Sequence, residues 1–313
     1  MRLTGMGLVL VVALVGCGGD DDDGGGGGGG GGGDGGGGGS TADARPGGSD
    51  GAPSADAGEI ADATVDGFVP LVTANWSLEP GTEGYICGTR TLTEDVYASA
   101  LRPMAPLGTH HTTIAMGAPA GPDNPSFPCG PEFGDFWASG VGTQELDLPA
   151  GVGLLARAGQ QLRVSLHLFN ATDRTLSGVS GLEVRPVDAA EVDHTAHVSY
   201  HGPMGFSIDP DGEPHTVSDE TTLDAGTLVA IFPHMHQLGR HFRAELLRGG
   251  QSIELWDDDY QFESQDFAPL AEVPVEQGDV LRTSCTWVNN GQDPVGWGTS
   301  STAEMCFTIL MSY

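Results

Sequence analysis

The chain contains ten histidines and no lysine. Neutral imidazole is a ligand for zinc, copper, iron and nickel, so the spacing of the histidines sets the first question. His110 and His111 are adjacent, His234 and His236 flank Met235, and His167 lies in the stretch Gln161-Leu162-Arg163-Val164-Ser165-Leu166-His167-Leu168-Phe169-Asn170. Residues i and i+2 of a strand point the same way, so His234 and His236 can converge on one ion. In the 161–170 stretch, Leu162, Val164, Leu166 and Leu168 share one face. Arg163, Ser165 and His167 share the other, so His167 points away from the aliphatic side. Adjacent His110 and His111 diverge on a regular strand; to reach one metal they need a bulge or a strand end, and Gly108 just upstream allows either. Taken singly these are weak signals, because a lone outward histidine is more often a solvated surface residue. Two pairs within 127 residues, in a chain so short of other cations, carry more weight.

Near the C-terminus stands Thr299-Ser300-Ser301-Thr302-Ala303-Glu304-Met305-Cys306-Phe307. In an extended segment Met305 and Cys306 face opposite sides, so a bond at Cys306 would pin the strand and fix the thioether on its other face. A single methionine is more often core filler. Cys87, Cys129, Cys285 and Cys306 follow the N-terminal region. An even number in an exported chain favours disulfides, with three connectivities open. The simplest keeps each bond within one half, as Cys87–Cys129 and Cys285–Cys306.

The elements that must position these groups read as strands. Short alternating stretches occur at 85–91, 114–116, 161–170, 228–236, 280–287 and 307–311, separated by Gly, Pro, Asp and Asn clusters. No sustained 3.6-residue apolar stripe marks a helix. The expected fold is all-β: two consecutive jelly-roll-like antiparallel β-sandwich domains after a disordered N-terminal tether. The boundaries are 68–190 and 191–313, with Pro186-Val187-Asp188-Ala189-Ala190 breaking the pattern between them.

Residues 1–17 read as a signal peptide. Arg2 precedes an apolar run from Leu8 to Val15 that is too short to span a membrane as a mature helix. It closes on Leu14-Val15-Gly16-Cys17, which resembles the lipobox of bacterial lipoproteins and implies lipidation of Cys17. Residues 18–67, with ten consecutive glycines from Gly24 to Gly33 and eleven acidic residues against one arginine, cannot bury enough surface to order themselves. The expected location is therefore the bacterial cell envelope, with the exported chain held at the membrane by its lipid alone. A net charge of −31 argues against nucleic acid and against electrostatic attachment to an anionic membrane. The body is expected to act as a monomer on a small-molecule substrate.

Taken in order, Tyr85-Ile86-Cys87, His110-His111, His167 in its aliphatic strand, His234-Met235-His236-Gln237-Leu238-Gly239 and Glu304-Met305-Cys306 resemble the copper type II, ascorbate-dependent monooxygenases. This family includes the peptidylglycine- and dopamine-hydroxylating enzymes. The resemblance runs from about residue 68 to the C-terminus; its most specific parts are His-x-His-x-Leu-Gly and Glu-Met-Cys. It implies two jelly-roll-like domains, each with one copper, facing each other across a solvent-filled cleft. His110, His111 and His167 would hold an electron-transfer copper. His234, His236 and Met305 would hold the oxygen-activating copper. The implied cofactors are two copper ions, O2, and ascorbate or an equivalent one-electron donor. The cysteine pairs Cys87–Cys129 and Cys285–Cys306 fall where the family has two of its disulfides.

The resemblance departs at the substrate. Peptide-amidating members hold a carboxylate with an arginine where this chain has Phe232, and use an asparagine and a tyrosine where it has Phe307 and Ile309. An apolar pocket formed by Phe232, Phe307 and Ile309 implies a neutral or hydrophobic substrate, hydroxylated at a C–H bond. The alternative is a non-catalytic copper-binding or copper-relay lipoprotein. His194, His197, His201, His215 and His241 have no role in this scheme. The first three are expected to be exposed strand or loop residues rather than a third metal site.

Overall fold

The computed structural model describes residues 66–132, 134–300 and 302–313. The signal-like segment with Cys17, and the acidic glycine-rich linker up to residue 65, lie outside the described residues. Twenty strands follow in chain order. The first ten are β1 (Val69–Leu78), β2 (Glu83–Thr91), β3 (Val96–Met104), β4 (Thr109–Gly117), β5 (Phe127–Pro128), β6 (Trp137–Ser139), β7 (Leu146–Asp147), β8 (Val152–Ala156), β9 (Gln161–Phe169) and β10 (Leu176–Val187). The second ten are β11 (His194–His201), β12 (Ser207–Ile208), β13 (Pro214–Thr222), β14 (Gly226–Met235), β15 (Gly239–Arg248), β16 (Gln251–Asp259), β17 (Ala268–Val275), β18 (Val280–Val288), β19 (Val295–Gly296) and β20 (Cys306–Ser312). The one helical turn among the described residues is a 3-10 turn, Ala189–Glu191, capped by the Asp188 side chain accepting from the Ala190 N–H.

The all-β expectation holds. The strands build a sheet β5-β2-β9-β4-β6, a sheet β13-β18-β15-β16, a two-stranded pair β12-β19, and a nine-stranded sheet β1-β10-β3-β8-β11-β20-β14-β17 with β7 on β3. The long sheet backs both the five-stranded and the four-stranded sheet, so its two ends are the outer layers of two β-sandwiches. Its halves meet where β8 pairs with β11, in parallel, from His194 opposite Val152 to Ala196 opposite Leu154. All other pairings between named strands are antiparallel. Both disulfides form with the expected pairing, each closing within one sandwich, with Cα atoms 5.8 Å (Cys87–Cys129) and 5.9 Å (Cys285–Cys306) apart.

Period-two alternation explains the layers. On β9, Leu162, Val164, Leu166 and Leu168 are fully buried against the long sheet, each contributing about 1.5–3 kcal/mol of apolar burial. On β18, Leu281, Thr283, Cys285 and Trp287 face inward in the same way. The run Leu228–Phe232 of β14 is buried on both faces. Its Leu228 and Ile231 enter the core of the second sandwich, whereas Val229, Ala230 and Phe232 join the larger core that continues into the first. This two-sided strand carries His234 to its end.

The long sheet is tightest where β11 turns away from β20. A Cβ on Gly202 would meet the Cys306 carbonyl oxygen at 1.9 Å, one residue from Met305. Backbone cannot yield there as a flexible side chain would. Gly202→Ala is therefore expected to cost about 2–3 kcal/mol, a fall in Tm on the order of 5–10 °C for a body of this size. Calorimetry checks this, and an unchanged Tm would mean that β20 shifts freely.

Candidate metal centre

The first cluster is built on neighbouring strands. Tyr85 of β2 lies opposite His167 of β9, and His167 lies opposite His111 of β4. Thr109 pairs with Leu168 and His111 with His167, which leaves His110 as the extra residue of a β-bulge. That bulge turns two adjacent imidazoles towards one point, as a regular strand would not. Gly108, at φ +105°, makes room for it: a Cβ there would strike the Trp76 indole at 2.8 Å. Trp76 is itself held by Nε1 donating to the Ser180 hydroxyl at 2.7 Å, and that hydroxyl also bonds Thr109 at 2.6 Å.

Three imidazole nitrogens converge as a result. Nδ1 of His111 lies 3.2 Å from Nδ1 of His110 and 3.5 Å from Nδ1 of His167. An ion bonded to three imidazoles at about 2.0–2.1 Å in one plane would hold them about 3.5 Å apart. Among the described residues this trio is the one group of three or more His, Cys, Asp or Glu side chains spaced to hold a metal. Burial, then the repulsion of the neighbouring histidines, holds His111 well below its ordinary pKa near 6.5. Burial also lowers His167, against the opposing pull of Glu83. The outer nitrogens have their own partners. His167 Nε2 meets Glu83 Oε1 at 2.5 Å, and His110 Nε2 meets Glu263 Oε2 at 3.1 Å. Tyr85 stacks on His167, with ring centres 4.7 Å apart and planes within 9°.

The second cluster rests on β14 and β20. His234 pairs with Phe307 and Met235 with Cys306, so one further step of that register sets His236 opposite Met305. His234 and His236 lie on one side, their ring centres 5.2 Å apart. Nδ1 of His234 bonds the Gln265 Oε1 at 2.8 Å, and Nδ1 of His236 bonds the Ala303 carbonyl at 2.8 Å. With Nδ1 so committed, Nε2 is the nitrogen each ring has to offer a metal. Burial, then His236, pushes His234 down to about 3, and burial lowers His236 as well. Met305 is buried beside them.

Glu304 fixes this corner. Its carboxylate accepts from the His236 N–H (2.9 Å), the Leu238 N–H (2.7 Å) and Trp287 Nε1 (2.8 Å). Burial raises its pKa against those three bonds. Tyr260 clips the neighbouring residue, donating to the Met235 carbonyl at 2.6 Å and accepting from its N–H at 3.0 Å.

The two clusters share an open cavity lined by His111, His167, His234, His236 and Met305 together with Tyr85, Phe262 and others. The loop between β16 and β17 spans them. Phe262 packs on His110 and His111, Glu263 bonds His110, and Gln265 bonds His234 while its Nε2 lies 3.4 Å from His111 Nε2. The Gln265 carbonyl also accepts from the Gly140 N–H (2.8 Å) and the Thr143 hydroxyl (2.9 Å), tying this loop to the first sandwich.

The apolar trio expected to line a substrate pocket is elsewhere. Phe232, Phe307 and Ile309 lie on the same strand face as His234 and Met305, but deeper in the shared core, and are not among the cavity-lining residues. Phe267 covers Phe232, with ring centres 5.2 Å apart. Alternation predicts their face correctly but not the layer packed over it. His194 stacks on Tyr313, His197 bonds Ser312 and His201 bonds Ser199, so these three do not meet. His215 and His241 pair with Asp211 and Asp257. Sequence reasoning assigned no role to Glu83, Glu263, Gln265 or Glu304; for Glu304 the adjacent Met-Cys was the available signal.

Residues 215–313 match the family model for the copper type II ascorbate-dependent monooxygenase, C-terminal domain. This part of the chain belongs to that family. The match contains His234, His236, Met305 and both cysteines of the second disulfide; His110, His111 and His167 lie before it. No curated protein matches the chain. Solved structures that align with it include "Structure of infectious bursal disease virus Gx strain" (12% identity, 81% of this chain and 73% of that chain, TM-score 0.20). Another is "Crystal structure of infectious bursal disease virus VP2 subviral particle" (11% identity, 78% and 71% covered, TM-score 0.20). Scores this low carry no argument. Copper, the metal of that family, fits both donor sets. Imidazoles bind copper in either oxidation state, and a thioether favours Cu(I).

The lowered histidines make the metal-free protein acid-sensitive. Each holds fewer protons folded than unfolded between its lowered pKa and about 6.5, so stability is lost as pH falls through that window. For His234 alone the slope below pH 6 is about 1.4 kcal/mol per unit, or about 3–6 °C in Tm. Glu304, raised by burial, acts in the opposite sense, so His234→Gln isolates the histidine part. Melting curves from pH 7.5 to 5 should show a falling Tm that flattens in His234→Gln. A Tm that rises equally in both proteins would contradict the assignment.

Proposed function

We propose that this chain is a copper monooxygenase that hydroxylates a C–H bond of a small, neutral or hydrophobic substrate, using O2 and ascorbate or another one-electron donor. The convergence on one cavity of the three-histidine set, through His111 and His167, and of the set His234, His236 and Met305 carries this reading. A sequestering protein has no use for two unlike ligand sets at one cavity. Bound copper supplies one-electron redox chemistry at both sites and, beside the thioether, a reduced ion able to bind dioxygen.

The protein's own part is placement. Gln265 and the Ala303 carbonyl orient His234 and His236. The Glu304 carboxylate holds the chain on either side of Gln237. Tyr85, Pro131, Phe262 and Met305 supply apolar wall, with Thr113, Ser165 and Thr299 as hydroxyl-bearing neighbours. The nearby cation Arg163 is taken up by an ion pair with Glu132. No Arg side chain is among the described lining residues, which supports a substrate without a carboxylate. The first copper is assigned to His110, His111 and His167, and the second to His234, His236 and Met305.

The rest of the reading comes from sequence. Leu14 to Cys17 supports export and lipid attachment at a bacterial cell envelope, with the 18–67 tether giving reach. The acidic balance supports a small-molecule partner rather than nucleic acid, and the body is taken as a monomer of domains 68–190 and 191–313.

Copper titration and oxygen uptake test the function together. Two coppers per chain are expected, with ascorbate-driven oxygen consumption stimulated by members of a panel of neutral hydrophobic compounds. Met305→Ala should lower that stimulated uptake on the order of 100-fold while retaining copper at the three histidines. Two coppers with no stimulated uptake would favour the copper-relay alternative, and one copper would overturn the two-site assignment.

A further inference from the structure

The two ligand sets differ in what stands behind them. Each histidine of the first set that has a charged neighbour meets a carboxylate: Glu83 at His167 and Glu263 at His110. Both carboxylates border a recess on the outer side of the cluster, together with Phe169 and Gln237. Behind the second set stand only neutral dipoles, the Gln265 amide at His234 and the Ala303 carbonyl at His236. Glu304, an acid at that corner, is spent on two backbone N–H groups and the Trp287 indole rather than on an imidazole ring.

A carboxylate accepting from the far nitrogen of a ligating imidazole makes that ring more basic and more electron-donating; a neutral carbonyl does so less. Extra negative charge favours the more highly charged metal ion. We propose that Glu83 and Glu263 are positioning residues that bias the three-histidine site towards Cu(II), while the neutral supports of His234 and His236, with the Met305 thioether, leave the other site biased towards Cu(I). Electrons would then run downhill from the first site to the second. Glu263 reaches the first cluster from the β16–β17 loop, whose Gln265 serves the second, so one loop contributes to both biases. The inference rests on the copper assignment above and adds to it which residues set the direction.

The test uses the full chain in a His236→Ala background, so that the three-histidine site is read alone. Cu(II) affinity is measured by chelator competition followed by electron paramagnetic resonance, and Cu(I) affinity by anaerobic competition with a chromophoric chelator. Each of Glu83→Gln and Glu263→Gln should weaken Cu(II) about tenfold and Cu(I) by no more than about twofold. A tenfold change in that ratio is a rise in potential of about 59 mV. Equal weakening of both oxidation states would show a merely structural role and overturn the inference, as would no change in either. Both of those outcomes leave the copper assignment standing. Failure of the His236→Ala parent to bind copper at all would sink the assignment and this inference together.

Discussion

Everything at the centre of this protein depends on keeping imidazoles uncharged in a confined space. His111, His167, His234 and His236 are all held below their ordinary pKa, chiefly by burial, with neighbouring histidines adding to the shift at His111, His167 and His234. Neutral rings present lone pairs, and three Nδ1 lone pairs directed at one point repel unless a proton or a cation lies between them. Packing that would be unfavourable in a simple core is therefore suited to a metal. The acidic character of the rest of the chain, with no lysine and a net charge of −31, leaves few competing cations nearby.

The sheets supply the rigidity this arrangement needs. Strands β2, β9 and β4 set Tyr85, His167 and His111 in a row, and the β14–β20 register brings His236 opposite Met305. The disulfide at Cys306 and the carboxylate of Glu304 lie on either side of Met305 in sequence, so the thioether is fixed from both directions. Gln265 reaches both clusters, and its backbone docks on Gly140 and Thr143 of the first sandwich. Ligand geometry at either site is thus sensitive to how the two halves close.

Much of this was legible in the residues because strands have a period of two. The alternation of Leu162 to Leu168 gives both the core face and the opposite face on which His167 lies, and His-x-His predicts a shared side. The strand stretches inferred from alternation fall on β2, β4, β9, β14, β18 and β20. Strands such as β13 and β16 were not legible, since Pro214–Thr222 and Gln251–Asp259 are mostly polar and bury few side chains. Long-range partners were also invisible. Glu83, Glu263 and Gln265 act from positions that no local pattern relates to His167, His110 or His234. Phe232, Phe307 and Ile309 show the same limit, because their face was predictable but the Phe267 layer over Phe232 was not.

Copper-edge anomalous diffraction from crystals of the copper-loaded, reduced protein tests the two-centre arrangement most directly. Two peaks per chain are predicted, one within bonding distance of the Nδ1 atoms of His110, His111 and His167, the other beside His234, His236 and the Met305 sulfur. A single peak shared between the clusters, or a peak at one cluster with the other vacant at saturating copper, would contradict it.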